Sequence, residues 1–311
     1  MSDVKKIIVN ELYKPARKNF PRRTTVVKGV NDLYQIDLAE VQPFAKVNRG
    51  MRYILVVIDC CSKFLWTRPV KNKTAEEVTK AMASVLAEGN VPRLLQSDRG
   101  REFYNARFQS LMRQYNIKHY STFTVIKASM AERVIRTLKE RLYKTFDLQG
   151  SHHWLGLLPV ITAEYNQTVH RTTGMKPVDV IAGTASEQTA LAAIRKNRRV
   201  RGSRPVKFNP GDVVRLSRHK TFFEKGFTSS WTTELFRIRA VKTSTVPVTY
   251  ELEDLSGSPI QGCFYTEELQ RTIVPNDYLV EKVLRRRGNQ IYVKWLGMNS
   301  QSWIPASDVL S

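Results

Sequence analysis

Three acidic residues, Asp37, Asp98 and Glu132, are separated by 60 and 33 intervening residues and could together hold hard cations. Phosphoryl transfer on a polynucleotide backbone uses two divalent metal ions about 4 Å apart, which activate the attacking oxygen and stabilise the leaving one. Mg²⁺ prefers oxygen ligands and keeps several waters, so a few carboxylates suffice. If the three side chains converge, we expect a catalytic site for two Mg²⁺ (or Mn²⁺) ions.

Two of these acids adjoin predicted strands. Asp37 lies inside the apolar strand pattern of YQIDLAEV, where a carboxylate is costly unless a partner or a metal compensates it. Asp98 directly follows the strand-like segment RLLQS, and Gly100 permits a tight turn there. Two other acids fit simpler roles, because Asp32 is predicted to be a turn residue and Asp59 to end a strand in a turn or a local salt bridge.

The third acid, Glu132, lies in the first turn of a predicted helix, SMAERVIRTLKERLYKTF. Arg136 and Lys139 follow at i+4 and i+7 and therefore share its face. Cations beside a catalytic acid suit a helix that lies against DNA phosphates. The alternative is a surface pair between Glu132 and Arg136, worth roughly 0.3 kcal/mol. An isolated acid at this position would simply be favoured by the helix dipole.

The elements that must position these acids follow from the periodicity of the sequence. Three strand-like segments precede a helix that Thr74 opens as N-cap and Gly89 closes. A strand, a helix over 103–115, another strand, the helix of Glu132 and a last helix with a kink at Pro159 follow. This order predicts an α/β fold with a mixed sheet and helices packed on its faces.

The charge balance points to a polyanionic partner. The chain of 311 residues has 50 Lys and Arg against 28 Asp and Glu, a net charge of +22. Each neutralised phosphate releases counterions, so nucleic acid is the first candidate and an anionic membrane the second. A membrane partner is not expected, because no apolar run approaches the roughly 20 residues of a membrane span. The first residues also lack the apolar stretch of a signal peptide.

The cysteines and histidines predict no zinc site. Cys60, Cys61 and Cys263 form neither a disulfide framework nor a CxxC pair. The five histidines do not pair with them at zinc-binding spacings. Free thiols fit a reducing compartment such as the nucleus or the cytosol.

Basic segments flank the predicted core. Residues 1–29 show little periodicity and are interpreted as an arm over the next domain or on DNA, with a frayed terminus as the alternative for the first ten. Residues 195–207 contain seven basic side chains and no acid, which predicts an exposed linker. It could add a nuclear-import signal or phosphate contacts. Its candidate DNA-binding residues are Arg198, Arg199 and Arg201.

The chain resembles the integrase core of retroviruses and, more closely, the integrases of Polinton (Maverick) self-synthesising transposons. The resemblance covers most of residues 11–180. It rests on ELYKPARKNFPRR, DLYQIDL, YILVVIDCCSKFLWTRPVKNKT, LQSDRGREFYN, KASMAERVIRTLKERLYKTF and EYNQTVHRTTGMKPVDV.

This resemblance implies an RNase H-like fold in which Asp37, Asp98 and Glu132 match the metal-binding triad of the family. It also implies 3′-end processing by water, followed by strand transfer by the freed 3′-hydroxyl. Lys127 and Lys139 match positions that approach DNA in such enzymes. Because two DNA ends must be brought together, a homo-oligomer is expected, with a tetramer implied by the resemblance.

The C-terminal part resembles two small β modules. Residues 206–272 look like the Src-homology-3-type barrel that follows the core in this family, and residues 277–311 look like a chromodomain. Tyr278 and Trp295 match two walls of a methyl-lysine cage, which acts through cation–π attraction. A histone tail is therefore a candidate partner, and core packing of Trp295 is the alternative.

The predicted organisation is a basic arm, an RNase H-like catalytic core, a basic linker, a barrel and a chromodomain-like unit, at residues 1–29, 30–180, 181–205, 206–272 and 277–311. The predicted function is a nuclear DNA integrase that joins double-stranded element ends to target DNA. The rival is a domesticated DNA- or chromatin-binding protein that kept the fold and lost catalysis. A third hypothesis, an RNase H-type nuclease, usually needs a fourth carboxylate, to which no motif points.

Overall fold

A computed structural model of the chain describes residues 3–17, 19–23, 25–121, 129–197, 205–218, 228–275, 277–296 and 300–308. The chain forms two compact units: Thr24–Val200 is one, and Met1–Arg23 with Arg201–Ser311 is the other. We call them the core unit and the terminal unit. In the described ranges, none of the helices combines the length and apolar character needed to cross a bilayer.

The core unit is built on a five-stranded mixed sheet, which confirms the α/β prediction. The strand order is β3-β2-β1-β4-β5. The first three strands pair antiparallel, whereas β4 and β5 run parallel to β1. The strands are β1 (Leu33–Glu40), β2 (Tyr53–Asp59), β3 (Leu65–Val70), β4 (Leu94–Ser97) and β5 (Lys118–Ser121).

Helices cover both faces of this sheet. One apolar cluster joins Leu55 and Val57 of the sheet to the first two helices of the unit, and a second joins Ile54 and Val56 to the next two. Because successive side chains of a strand point to opposite faces, β2 contributes to both clusters. After α1 (Asp3–Tyr13) of the terminal unit, the helices are α2 (Ala75–Leu86), α3 (Ala106–Gln114), α4 (Ser129–Gln149), α5 (Leu157–Gln167) and α6 (Ala185–Asn197).

Local signals set the ends of these helices. Thr74 is the N-cap of α2 and accepts a hydrogen bond from the Glu77 backbone, as predicted. Gly89, just beyond the helix, has a φ of 89° that favours glycine. The predicted kink at Pro159 is wrong. Because α5 begins at Leu157, Pro159 lies in the first turn, where a backbone N–H has no partner within the helix.

The strands of the terminal unit form two antiparallel sheets. Its larger sheet has the order β10-β6-β7-β8-β9, and its smaller sheet has the order β11-β12-β13. The strands are β6 (Val213–Leu216), β7 (Phe236–Lys242), β8 (Thr249–Asp254), β9 (Pro259–Tyr265), β10 (Leu269–Arg271), β11 (Val280–Arg287), β12 (Gln290–Trp295) and β13 (Gln301–Pro305).

The N-terminal segment contains helix α1 (Asp3–Tyr13), which sequence periodicity did not predict. Its buried residues are Ile8 and Leu12. Glu11 accepts hydrogen bonds from Arg215 of β6 at 3.0 Å and from the hydroxyl of Thr272 at 2.8 Å. The helix is thus attached to the larger sheet through an ion pair whose two side chains are 11% and 2% exposed.

Candidate active site

Two of the three predicted acids lie at corresponding positions of two neighbouring strands. Strands β1 and β4 run parallel with Gln35 opposite Gln96. Asp37 and Asp98 each lie two residues further along, so the topology brings both to the same edge of the sheet. Asp37 is still within β1, whereas Asp98 belongs to the turn after β4.

The third acid is connected to the same strand pair by a buried amide. The Gln35 side chain accepts hydrogen bonds from the Met130 and Ala131 backbone amides, at 2.8 and 3.3 Å, at the N-terminus of α4. Its own amide nitrogen donates to the Gln96 side chain at 3.1 Å. Glu132 lies in the first turn of α4. The Gln35 side chain therefore joins the helix of Glu132 to the strands that carry the other two acids.

The electrostatics of Asp37 couple the three carboxylates. The pKa of Asp37 is raised to about 6, mainly by burial and to a smaller extent by the negative charges of Asp98 and Glu132. The Leu38 amide, which donates to the Asp37 carboxylate at 2.8 Å, and the charge of Lys73 oppose this rise. Asp37 is therefore an acid whose ionisation is opposed by both of its predicted partners.

A chain of hydrogen bonds supports the turn at Asp98. The Ser97 hydroxyl donates to the Asp98 carbonyl at 2.6 Å, and His119 Nε2 lies 2.8 Å from the same hydroxyl. Gln109 Nε2 lies 2.8 Å from the other ring nitrogen. Burial lowers the pKa of His119 to about 4, so the ring is neutral near pH 7. Because the Ser97 proton is already donated, the neutral ring donates from Nε2 and accepts at Nδ1.

Cations lie at the same end of β1. Lys73 donates to the Glu40 carboxylate at 2.8 Å, and this hydrogen bond lowers the pKa of Glu40. The charge of Lys139 on α4 lowers it further, which brings a predicted DNA-binding residue close to the end of β1. Arg136, one turn after Glu132, is exposed.

The donor set fits hard divalent cations. Within the described ranges, no three His, Cys, Asp or Glu side chains are close enough together to form a metal site. The three acids nevertheless interact through their charges, and a cation among them would offset the repulsion that raises the pKa of Asp37. Carboxylate oxygens are the ligands that Mg²⁺ prefers.

The two other acids have structural roles, as predicted. Asp59 ends β2, and its carboxylate accepts hydrogen bonds from the Cys61 amide and the Ser62 hydroxyl, at 2.9 and 2.7 Å. Asp32 lies in the turn before β1 and forms an ion pair with Arg93 at 2.7 Å. Neither carboxylate is among the charges that shift the pKa of Asp37.

The remaining predicted site residues are far from these acids in sequence or lie outside the described residues. Tyr278 and Trp295 have ring centroids 5.8 Å apart at an interplanar angle of 63°. The Trp295 indole donates to the Ser302 hydroxyl at 3.0 Å. The predicted residues outside the described part of the chain are Lys127, Arg198, Arg199 and Arg201.

The sequence interpretation missed the supporting residues Gln35, Ser97, His119 and Lys73. Gln35 carried a signal that was available: an amide inside an apolar strand, on the same face as Asp37, needs a buried partner. His119 and Lys73 carried no comparable signal, because their contacts depend on segments that lie 22 and 33 residues away.

Comparison with known proteins agrees with this geometry. Residues 28–124 match the integrase core domain family. The Gag-Pol polyprotein of woolly monkey sarcoma virus is 31% identical over 153 residues, which are 48% of this chain and 9% of the polyprotein. A chain of the simian T-cell lymphotropic virus intasome has the same fold, with a TM-score of 0.56 and 15% identity over 86% of this chain and 87% of that one.

The match to a cellular protein is longer. An uncharacterized transposon-derived protein of Caenorhabditis elegans is 31% identical over 218 residues, which are 70% of this chain and 73% of the relative. The integrase core match lies at residues 28–124, the part of the chain that contains Asp37 and Asp98. The chain belongs to the family of transposon-derived proteins that carry an integrase core domain of the retroviral type.

Proposed function

We propose that the protein is a DNA integrase, a polynucleotidyl transferase that processes the 3′ ends of element DNA and joins them to target DNA. The observation that supports this most directly is the placement of Asp37 and Asp98 at the same ends of two neighbouring parallel strands, within the integrase core match. Three carboxylates that share one electrostatic environment in an integrase core are suited to metal-dependent phosphoryl transfer.

In this proposal Asp37, Asp98 and Glu132 hold two Mg²⁺ (or Mn²⁺) ions. When bound, the ions supply activation of the attacking oxygen and stabilisation of the leaving oxygen. Gln35 keeps the helix of Glu132 against β1, and the hydrogen bonds of Ser97 orient the turn of Asp98. These residues position the acids, and positioning is a major part of catalysis in phosphoryl transfer.

The proposed substrate is double-stranded DNA. Arg136 and Lys139, which follow Glu132 along α4, bind phosphates and orient the DNA strand at the acids. At this site water first cleaves a phosphodiester bond near the 3′ end, which frees the 3′-hydroxyl and releases the terminal nucleotides. The 3′-hydroxyl then attacks a target phosphodiester bond and displaces the 3′-oxygen of the target strand. Because two DNA ends must be held together, we propose that the protein forms a homotetramer. We propose that it acts in the nucleus.

The finer assignment of the protein is also a proposal. The sequence motifs favour the Polinton type among integrases. We assign the larger sheet of the terminal unit to a Src-homology-3-type barrel and β11–β13 to a chromodomain-like module. Tyr278 and Trp295 would then offer two walls to a methylated lysine of a histone tail.

A strand-transfer assay with labelled oligonucleotide ends, target DNA and Mg²⁺ tests the catalytic proposal. Asp98→Asn should lower the rate by about 1,000-fold or more, because the change removes a charged metal ligand at nearly constant volume. Asp147→Asn is the matched control, since Asp147 is an exposed acid near the end of α4. Its rate should equal that of the parent.

Two outcomes would contradict the proposal. Equal activity of Asp98→Asn and the parent would exclude the proposed role of the acids. Salt-dependent DNA binding by the parent with no metal-dependent product would instead support the rival hypothesis, a DNA- or chromatin-binding protein that has lost catalysis.

A further inference from the structure

The small sheet of the terminal unit has two unlike faces. In its register Tyr292 pairs with Trp303, whereas Ile291 pairs with Ile304. Ile291 and Val293 are buried, at 3% and 0% exposure, so their side of the sheet is the packed one. Residues directly opposite each other share a face, which places Tyr292 and Trp303 together on the solvent side.

The solvent side carries an exposed pair of aromatic rings. The ring centroids of Tyr292 and Trp303 are 5.2 Å apart, with a tilt of 38° between the planes. Trp303 is 43% exposed. A large aromatic side chain that stays in water on a small sheet loses the free energy of burial, unless a partner covers it. The Trp295 ring belongs to the opposite face, because Trp295 lies three residues after Tyr292 and side chains alternate along a strand.

Exposed cations lie beside this aromatic pair, on the Tyr292 side. Strand β11 presents Lys282, Arg285 and Arg287 on the same side, since they pair with Lys294, Tyr292 and Gln290. All three side chains are exposed. The three strands together contain five Lys or Arg and a single acid, Glu281, which forms an ion pair with Lys294 at 2.8 Å. We call Lys282, Arg285, Arg287, Tyr292 and Trp303 the aromatic–basic face.

We infer that the aromatic–basic face binds single-stranded nucleic acid, with bases stacked on Tyr292 and Trp303 and phosphates paired with Arg285 and Arg287. Stacking of bases on aromatic side chains beside a basic surface is how proteins bind single strands without sequence preference. A duplex conceals the flat sides of its bases, and an acidic peptide pairs with the cations and has no bases to stack on the rings. A methylated lysine would meet the repulsion of three cations.

Binding of the full-length chain to labelled oligonucleotides tests this inference, with chelator present so that catalysis plays no part. The probes are a single-stranded DNA, a single-stranded RNA of the same sequence and the DNA duplex. Trp303→Ala should weaken single-strand binding by about tenfold or more. The affinity of Trp303→Ala for the duplex should change less than twofold. Trp303→Phe, which keeps an aromatic ring, should bind the single strand with the parental affinity. A melting curve checks that both variants remain folded.

The roles of Arg285 and Arg287 can be tested with a neighbouring residue of β11 as the control. Arg285→Gln and Arg287→Gln should each reduce the slope of log affinity against log salt by about 0.7 for the single strand. Arg286→Gln is the matched control: Arg286 is equally exposed, but it pairs with Ile291 on the packed side. This variant should keep the parental slope.

The binding results distinguish single-stranded nucleic acid from duplex DNA and from an acidic peptide. Preference for DNA or for RNA supports the inference and identifies the natural strand. Loss of duplex and single-strand affinity to the same extent in Trp303→Ala would overturn it, as would competition by a glutamate-rich peptide as effective as that by the oligonucleotide. The catalytic proposal would stand in either case, because it depends on acids of the core unit.

Discussion

Asp37 of the core unit and the aromatic–basic face of the terminal unit hold their charges in different surroundings. Asp37 lies between the buried Ile36 and Leu38, and its pKa is raised to about 6. The amides and the imidazole that support the three acids are themselves mostly buried. Arg285 and Arg287, by contrast, project into solvent from a sheet of three strands.

This difference distinguishes two uses of a charge: to fix a reacting group in position and to attract a charged partner. A buried charge costs free energy, so it is retained where its exact surroundings matter, and a network of hydrogen bonds specifies its position. Exposed cations cost little and act over about a Debye length, roughly 10 Å at 0.1 M salt. The core unit is thus suited to chemistry at a fixed point, and the terminal unit to salt-dependent attraction of a polyanion.

One pair of charges in the terminal unit is buried and not exposed: Glu11 and Arg215 form a buried ion pair. Glu11→Ala would leave the Arg215 guanidinium buried without its charge partner. We expect the free energy of unfolding of this unit to fall by about 3–5 kcal/mol, measured by urea denaturation. Glu281→Gln, which removes an exposed pair with Lys294, should change it by less than about 0.5 kcal/mol. Equal losses of unfolding free energy in the two variants would contradict the difference between buried and exposed charges.

The buried amide of the core unit provides the second test. Gln35→Ala removes the acceptor of two amides at the start of α4. We expect a loss of about 1–3 kcal/mol in unfolding free energy and roughly tenfold in kcat, because Glu132 is no longer held against β1. Gln42→Ala is the control, since Gln42 is exposed and its side chain donates to the Tyr53 hydroxyl at the surface. A Gln35→Ala protein with parental kcat would show that the amide has no positioning role.

The third test concerns the cost of burying Asp37 in the metal-free protein. Its folded pKa, about 6, exceeds the ordinary value of 3.8, so folding favours the protonated form. Relative to Asp37→Asn, the parent therefore has its full stability below pH 4 and loses stability as pH rises through 6. At pH 8 we expect Asp37→Asn to be more stable by up to about 3 kcal/mol, although it should be inactive. Thermal melting with chelator over this pH range measures the difference.

Asp147→Asn keeps Asp37, so its stability should follow that of the parent over the whole pH range. If the stability of Asp37→Asn and of the parent changed with pH in parallel, the Asp37 carboxylate would carry no burial cost. The proposed electrostatic coupling among the three acids would then be wrong.

The smallest expected effect concerns the exposed cations of the core unit. Arg136→Gln should weaken duplex binding about threefold at 0.1 M salt and lower the slope of log affinity against log salt by about 0.9. Lys144→Gln is a suitable control, because Lys144 already pairs with Glu140 on the same helix at 2.8 Å. An equal change in both variants would mean that α4 attracts DNA only through its overall charge.

Sequence reasoning succeeded where the signal is local. The N-cap of α2 at Thr74, the position of Glu132 in the first turn of α4 and the apolar strand around Asp37 all depend on neighbours within one turn or one strand. Reasoning from the same local patterns missed α1. Its short apolar stripe is weak in isolation, and Glu11 finds its partner Arg215 only 204 residues later.

The sequence by itself determined which residues could do chemistry, because a carboxylate inside an apolar strand and a strand–helix order characteristic of α/β folds are written in residue types and spacing. Only the tertiary structure decided how those acids are supported. Gln35 meets the start of α4 across 95 residues, and His119 reaches Ser97 across 22. The physical reason is that hydrogen bonds and burial depend on distances in space. Packing brings together segments that are far apart along the chain, and their sequence separation does not indicate that they will be in contact.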